Sequence, residues 1–156
     1  TTFTDTVRPG QILAVEESFS VELANPNTGE SIDIPFEGRI DLIEQTPNGI
    51  AVIDHKTAAK SYNRDRIEND LQLTAYSYVM SRKGYEPEDI IPRFDVLMKN
   101  GACKFIQYPT HRTQNDYRRF FRIAQSVVNG IKAESFYPQK SWMCNGCVFA
   151  KECGKW

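Results

Sequence analysis

The sequence predicts an α/β fold built on a mixed sheet, and three observations carry that prediction. Apolar and polar residues alternate through most of the first 56 positions, which is the pattern of half-buried strands. An apolar stripe with helical spacing follows, between positions 64 and 83. Two more strand patterns and a second helical stripe complete the order strand, strand, strand, strand, helix, strand, strand, helix, which is typical of α/β domains.

Length and composition suit a single domain. The chain has 156 residues, of which 40% are hydrophobic and 25% charged, so it is able to bury a core. We expect a lead-in over residues 1–10, an α/β core over 11–136 and a cysteine-containing tail over 137–156. No apolar run approaches the ~20 residues of a membrane-spanning helix and no signal peptide is visible, so we expect a cytoplasmic protein. The net charge of −1 differs from that of basic duplex-coating proteins, so any contact with nucleic acid must be local or supplied by another domain.

Four strands are predicted before the first helix. They cover 11–23, 31–36, a stretch from Gly38, and 50–56, and the last of them starts apolar on both faces. The turn between the last two is Pro47-Asn48-Gly49, in which Pro pre-sets φ and Asn-Gly accepts positive φ. This hairpin is the part of the chain around which the rest is organised.

The second strand of that hairpin runs from apolar residues into Asp54-His55-Lys56. Asp54 and Lys56 are two positions apart and therefore share a face, whereas His55 points to the other face. Asp41 lies on the neighbouring strand, near the same polar end. Two carboxylates beside an ammonium suit a hard divalent cation such as Mg²⁺, with the lysine orienting or activating an attacking water. A surface hairpin with an ordinary Asp–Lys ion pair fits these residues as well.

A helix is predicted from about Arg64 to Lys83, after a polar loop. Gln72 and Tyr76 are four positions apart, so they lie one turn apart on the same helix face. Beside a phosphate site, an amide and a phenol in this arrangement suit a nucleic-acid backbone. In the alternative interpretation Tyr76 packs in the core and Gln72 lies in water.

The later elements are a hairpin and a second helix. Strand patterns over 93–99 and 102–108 flank Asn100-Gly101, the strongest short hairpin signal. The helix begins near Asn115, and its apolar stripe predicts a core-facing side.

In their order and spacing, these motifs resemble the PD-(D/E)xK nuclease superfamily, and most closely its RecB-like branch. That branch includes the AddB and CRISPR-associated exonucleases. The resemblance implies a restriction-endonuclease-like core, a central mixed sheet flanked by helices. It makes Asp41 the first metal-binding acid, Asp54 the second and Lys56 the catalytic lysine, with Gln72 and Tyr76 as the Q-x-x-x-Y pair of the branch. The three catalytic residues would use Mg²⁺ or Mn²⁺, with the backbone carbonyl of His55 as a further ligand.

Two other features of the branch match less completely. A glutamate is often found at about the position of Glu16 in the first strand, and the sequence does not show whether Glu16 or Glu17 faces the pocket. A metal-binding histidine usually precedes the first strand, and none does here. The chain begins at Thr1 without Met, so we expect a trimmed or partial product whose upstream segment could supply it.

The tail carries Cys144, Cys147 and Cys153 in a C-x2-C-x5-C pattern, which suggests a metal site rather than disulfides. Three thiols are one ligand short of a zinc or iron–sulfur site. The pattern is similar to that of AddB-type nucleases, where a fourth, upstream cysteine completes a 4Fe-4S cluster. The fourth ligand is not visible here, and we expect Cys103 to be an ordinary strand cysteine.

These features together predict a Mg²⁺- or Mn²⁺-dependent deoxyribonuclease, an exonuclease by resemblance. Single-stranded or duplex DNA ends would be its substrates. The expected context is DNA repair, recombination, phage replication or CRISPR processing. A helicase or another protein of those pathways is the expected partner. Two alternatives stay open: a catalytically inactive nucleic-acid or protein-binding module on the same fold, and a small zinc-binding interaction domain built around the three cysteines.

Overall fold

The structure is a computed structural model that describes residues 10–99 and 104–155. The first nine residues of the expected lead-in, the Asn100-Gly101 turn and Cys103 lie outside the described residues. The chain divides into two compact units, the first ending at Arg122 and the second beginning at Ile123.

A five-stranded mixed sheet forms the first unit, with the strands in the order of the chain. The strands are β1 (Gln11–Ala24), β2 (Ser31–Thr46), β3 (Gly49–Ala58), β4 (Ile90–Met98) and β5 (Lys104–Pro109). β3 and β4 pair in parallel, and all other neighbours pair antiparallel. The predicted α/β fold with a mixed sheet is therefore confirmed.

The prediction of two separate strands over 31–36 and from Gly38 is wrong, because both belong to the continuous strand β2. β2 pairs with β1 along almost its whole length, from Gln11 opposite Gln45 to Ala24 opposite Ser31. Gly38 lies under the Phe19 ring, and a Cβ at this glycine would come within 2.6 Å of that ring. The glycine therefore serves a close approach of side chain to backbone and does not mark a turn.

The predicted helix 64–83 is interrupted and forms α1 (Arg64–Glu68) and α2 (Leu71–Arg82). Asp70 has an extended backbone and accepts a hydrogen bond from the Leu73 N–H, so it caps the start of α2. Asn63 caps α1 in the same way through the N–H of Arg66. The two caps outweighed the continuous apolar stripe, and Leu71 is exposed as a result.

The core is centred on β3, whose residues from Ile50 to Asp54 are all buried. One cluster packs Ile50 and Val52 against Tyr76, Val79 and Met80 of α2. A second cluster packs Ile67 of α1 and Leu73 of α2 against Phe94 and Val96 of β4. Both helices are thereby fixed on the sheet next to the polar end of β3.

Helix α3 (Gln114–Lys132) begins in the first unit and continues into the second. Tyr117, Phe120 and Phe121 are buried, whereas Val127 and Ile131 are exposed, so the core-facing stripe predicted for this helix holds only in its first half. The second unit also contains a 3₁₀ turn (Trp142–Gly146) and the short helix α4 (Ala150–Cys153). Within residues 10–99 and 104–155, no helix combines the length and apolar character needed to cross a membrane.

Candidate active site

The polar end of β3 places a buried carboxylate beside a lysine. The Asp54 side chain is only 3% exposed, and its Oδ2 lies 2.5 Å from Nζ of Lys56, whose side chain is 35% exposed. The ammonium also lies 5.7 Å from the centre of the Phe94 ring. As alternation along a strand predicts, the two side chains meet on one face.

Helix α2 supplies the other contacts to Asp54. The Gln72 amide donates hydrogen bonds to Asp54 Oδ1 at 2.6 Å and to the Tyr76 hydroxyl at 3.0 Å. The Tyr76 hydroxyl donates to the backbone carbonyl of Arg39 at 2.8 Å and lies 3.5 Å from Asp54 Oδ1. The Tyr76 ring packs in the core, as the alternative interpretation held, but its polar end reaches the site together with Gln72.

Asp41 reaches the same region from β2. The pairing of β2 with β3 extends only to Leu42 opposite Ile53. Beyond that pair, Asp41 Oδ2 accepts a hydrogen bond from the backbone N–H of His55 at 2.8 Å. The imidazole Nδ1 of His55 lies 3.7 Å from the same oxygen. The prediction that the imidazole points away is therefore incomplete, because Asp41 reaches across to it where regular pairing has ended.

Burial dominates the electrostatics of this region. Burial raises the pKa of Asp54, and the nearby Asp41 carboxylate raises it further, while Lys56 acts in the opposite direction. Burial, opposed by the Gln72 hydrogen bond, raises the pKa of Tyr76 to about 12. Tyr76 is therefore a neutral hydrogen-bond donor at physiological pH. A cation bound beside Asp54 would favour the charged form of its carboxyl group.

The residues fit a divalent metal ion. Asp54 Oδ2 is buried, and apart from its short contact with the Lys56 ammonium it accepts no hydrogen bond. A buried carboxylate oxygen in this condition suits a cation. No three His, Cys, Asp or Glu side chains group as metal ligands within the described ranges. The protein would thus contribute two carboxylates, which fits Mg²⁺ because Mg²⁺ retains several water ligands.

Glu16 lies in the same row of the sheet as Asp41. Its neighbours pair as Val15 opposite Leu42 and Glu17 opposite Ile40, which places Glu16 opposite Asp41. Glu16 has a φ of 52°, a left-handed conformation that is rare for a residue other than glycine in a strand. Its carboxylate is 3.5 Å from the Arg39 guanidinium, whereas Glu17 pairs with Lys83 at 3.2 Å.

Sequence reasoning missed Arg112, which is buried at 3% exposure. Its guanidinium donates to the Ile67 and Asp70 carbonyls at 2.9 and 3.3 Å, across the interruption between α1 and α2, and to the Thr74 hydroxyl at 2.7 Å. Arg112 therefore holds the first turn of α2, from which Gln72 reaches Asp54. No local pattern signals this role, because its partners lie about forty residues away in the sequence.

The three tail cysteines are free, exposed thiols. Cys144 Sγ accepts a hydrogen bond from the Ser141 N–H at 3.2 Å, within a capped 3₁₀ turn. They do not form a ligand group in the part of the chain that the structure describes, and the cluster stays a prediction.

Comparison with known proteins adds one family and two solved structures. A family model described as the PD-(D/E)XK nuclease superfamily matches residues 2–154. The crystal structure of SSO0001 superposes with a TM-score of 0.53 at 18% identity, over 90% of this chain and 59% of that one. A candidate exonuclease from Eubacterium rectale superposes with a TM-score of 0.49 at 12% identity, over 92% of this chain and 52% of that one. This chain thus spans a little over half the length of both, and no curated protein matches it.

Proposed function

Because the chain belongs to the PD-(D/E)XK nuclease superfamily, we propose that Asp41, Asp54 and Lys56 form its active site and that the site hydrolyses phosphodiester bonds of DNA. The family match shows a restriction-endonuclease-like fold, and it supports nuclease activity on a nucleic acid. The choice of DNA and of these three residues is our proposal.

One observation carries the proposal. The buried carboxylate of Asp54 lies between the Lys56 ammonium and the Gln72 amide, and apart from the Lys56 contact its Oδ2 accepts no hydrogen bond. A solvated surface ion pair would need neither the burial nor the helix contact. A carboxylate held in this way is instead suited to bind a cation and to face a phosphate.

In the proposed mechanism Asp41 and Asp54 hold Mg²⁺ or Mn²⁺, with the His55 backbone carbonyl as a third protein ligand. When bound, the ion would supply Lewis-acid stabilisation of the charge that develops on the phosphate. Lys56 positions the attacking water and, as a cation, stabilises the added negative charge. Hydrolysis forms a bond from the water oxygen to phosphorus and breaks the bond to the leaving oxygen, which takes up a proton.

Gln72 and Tyr76 have two parts in this proposal. Their hydrogen bonds to Asp54 and to the Arg39 carbonyl support a role in orienting the carboxylate. Seating of the DNA strand by the same pair is the second part, and it rests on the sequence resemblance. Glu16 is proposed as an additional acid, because it stands opposite Asp41 and has a strained backbone.

Exonuclease action, membership of the RecB-like branch and a place in repair, recombination, phage replication or CRISPR processing rest on the sequence motifs. So do a helicase-type partner, a cytoplasmic location, and an iron–sulfur cluster or zinc ion at the tail cysteines. Each of these features is part of the proposal.

A catalytically inactive binding module is the second candidate. The net charge of −1 and the presence of only two grouped carboxylates in the described site favour it. Both candidates have the same fold and would bind nucleic acid, so a cleavage assay distinguishes between them.

The deciding experiment measures cleavage of end-labelled single-stranded and duplex DNA with Mg²⁺ and with Mn²⁺. Lys56→Ala is compared with Lys83→Ala, a matched control whose side chain is also 35% exposed and ion-paired. We expect the wild type and Lys83→Ala to cut and Lys56→Ala to be slower by about a hundredfold or more. Equal cutting by all three would remove Lys56 from the site. Binding without cutting by the wild type would identify the binding module.

A further inference from the structure

A cleft lies between α1 and β5, close to the candidate active site. Its volume is about 340 Å³, and Tyr62, Tyr108, Arg64, Glu68 and Gln107 are among the residues that line it. This volume falls within the range of small-ligand pockets. The cleft combines aromatic rings with basic and amide side chains, which is the chemistry of a nucleotide-binding surface.

Tyr62 is the centre of the aromatic wall. Its ring stacks with Tyr108 at 5.7 Å between centres and 22° between planes, and it contacts Phe94 edge-on at 5.8 Å. The Tyr62 N–H also donates to the Tyr108 hydroxyl at 3.2 Å, which fixes the pair. Two half-buried rings held by these contacts form a preorganised stacking surface.

A planar group already lies on this wall. The Arg66 guanidinium is centred 3.7 Å from the Tyr62 ring centre, and the Arg66 residue is exposed. The solvent-side face of Tyr62 therefore carries the Arg66 guanidinium, and a nucleobase can stack against this pair. Glu68 does not oppose phosphates strongly, because Arg64 neutralises it in an ion pair of 2.5 Å.

The cleft lies next to the candidate active site, with the Phe94 ring between them. Phe94 contacts Tyr62 on one side and lies 5.7 Å from the Lys56 ammonium on the other. A single aromatic ring thus separates the cleft from the lysine that we place at the reacting phosphate. Nucleotides that flank this phosphate therefore lie within reach of the cleft.

We propose that this cleft binds an unpaired base of the nucleic-acid strand, next to the phosphate that is cut. The inference rests on the proposed function and names the form of its substrate. A base within a duplex is stacked on its neighbours and cannot offer its face to Tyr62. The cleft consequently selects single-stranded DNA or a frayed end over intact duplex.

The test measures binding of fluorescein-labelled oligo(dT) and of a duplex of equal length by anisotropy in EDTA, where no cleavage occurs. Tyr62→Leu removes the ring but keeps apolar volume, Tyr62→Phe keeps the ring, and Tyr85→Leu changes an exposed tyrosine elsewhere. We expect Tyr62→Leu to weaken oligo(dT) binding about tenfold and the two controls to have little effect. Duplex binding should change much less than oligo(dT) binding.

Arg66→Lys provides a second arm in case Tyr62→Leu does not fold. Arg66 is exposed, and lysine keeps the charge but loses the planar guanidinium, so oligo(dT) binding should weaken about threefold. If Tyr62→Leu folds and binds oligo(dT) as the wild type does, the proposal that the cleft binds a base is overturned, even if the wild type cuts DNA. If Tyr62→Leu does not fold, unchanged binding by Arg66→Lys has the same consequence. A wild type that neither binds nor cuts DNA would overturn the proposed function and the cleft with it.

Discussion

Two short motifs of this chain have different surroundings in the fold. Asp41, Asp54, Lys56, Gln72 and Tyr76 converge from two strands and a helix, and Asp54 and Tyr76 are buried. The three tail cysteines are exposed, and their neighbours Trp142 and Val148 are 84% and 86% exposed. Both motifs were visible from residue spacing alone. The contrast shows that the spacing of residues in the sequence identifies candidates for a site, whereas a packed core is needed to hold them at fixed distances.

The difference extends to electrostatics. Burial raises the pKa of Asp54, so the fold holds this carboxylate at a cost to its own stability. The tail thiols, by contrast, face solvent. Functional sites typically hold side chains in positions that lower the stability of the fold.

The largest expected effect comes from Asp54→Asn, which removes the buried charge and keeps the shape. We expect nuclease activity to fall by about three orders of magnitude. The stability of Asp54→Asn, by contrast, should exceed that of the metal-free wild type. Because the pKa of Asp54 is raised in the folded state, the metal-free wild type loses stability as the pH rises from the ordinary value of 3.8 through the raised pKa.

Thermal unfolding in EDTA at pH values from about 4 to about 7 checks this prediction. The unfolding temperature of Asp54→Asn should exceed that of the wild type by a margin that grows with pH. Asp33→Asn, at an exposed position of β2, is the control. An unchanged margin across this range would show that burial of Asp54 has no effect on stability.

A large loss of stability is expected from Arg112→Met. The substitution removes the hydrogen bonds that the guanidinium donates to the Ile67 and Asp70 carbonyls and to the Thr74 hydroxyl, at a cost of about 3 kcal/mol in the free energy of unfolding. Urea unfolding measures this change, with Arg82→Met on the exposed end of α2 as control. Because the interruption before α2 loosens, activity should also fall under conditions where the variant is folded. A variant as stable as Arg82→Met would mean that the junction holds without Arg112.

The smallest effect is expected from Cys147→Ser. An exposed residue with no buried partner changes the free energy of unfolding by about 0.5 kcal/mol or less. Titration with a thiol reagent should find the three tail cysteines reactive without denaturant. A much larger loss of stability, or protection of these thiols in the purified protein, would show that they hold a metal or cluster and that the two motifs are alike after all.

Much of the fold and of the site was predictable because it depends on short periodicities. Alternation along a strand puts Asp54 and Lys56 on one face, and a separation of four puts Gln72 and Tyr76 one helical turn apart. The resemblance then supplied the roles, and the family match over residues 2–154 confirmed the family.

Other features followed from contacts that no local pattern encodes. The β1 pairing turned two predicted strands into one, and the cap at Asp70 divided a predicted helix. The reach of Asp41 to His55 depends on where the pairing of β2 with β3 ends.

Sequence alone thus determined the strand and helix faces, since these depend on neighbours a few positions away. Its resemblance to a known family supplied the candidate catalytic residues. Tertiary structure decided which of those residues are buried and which partners they meet. Tyr62 stacks with Tyr108 across 46 positions, and Asp54 meets Gln72 across 18. Such pairings depend on the packing of the whole sheet and its helices, because burial and long-range hydrogen bonds are properties of the assembled core.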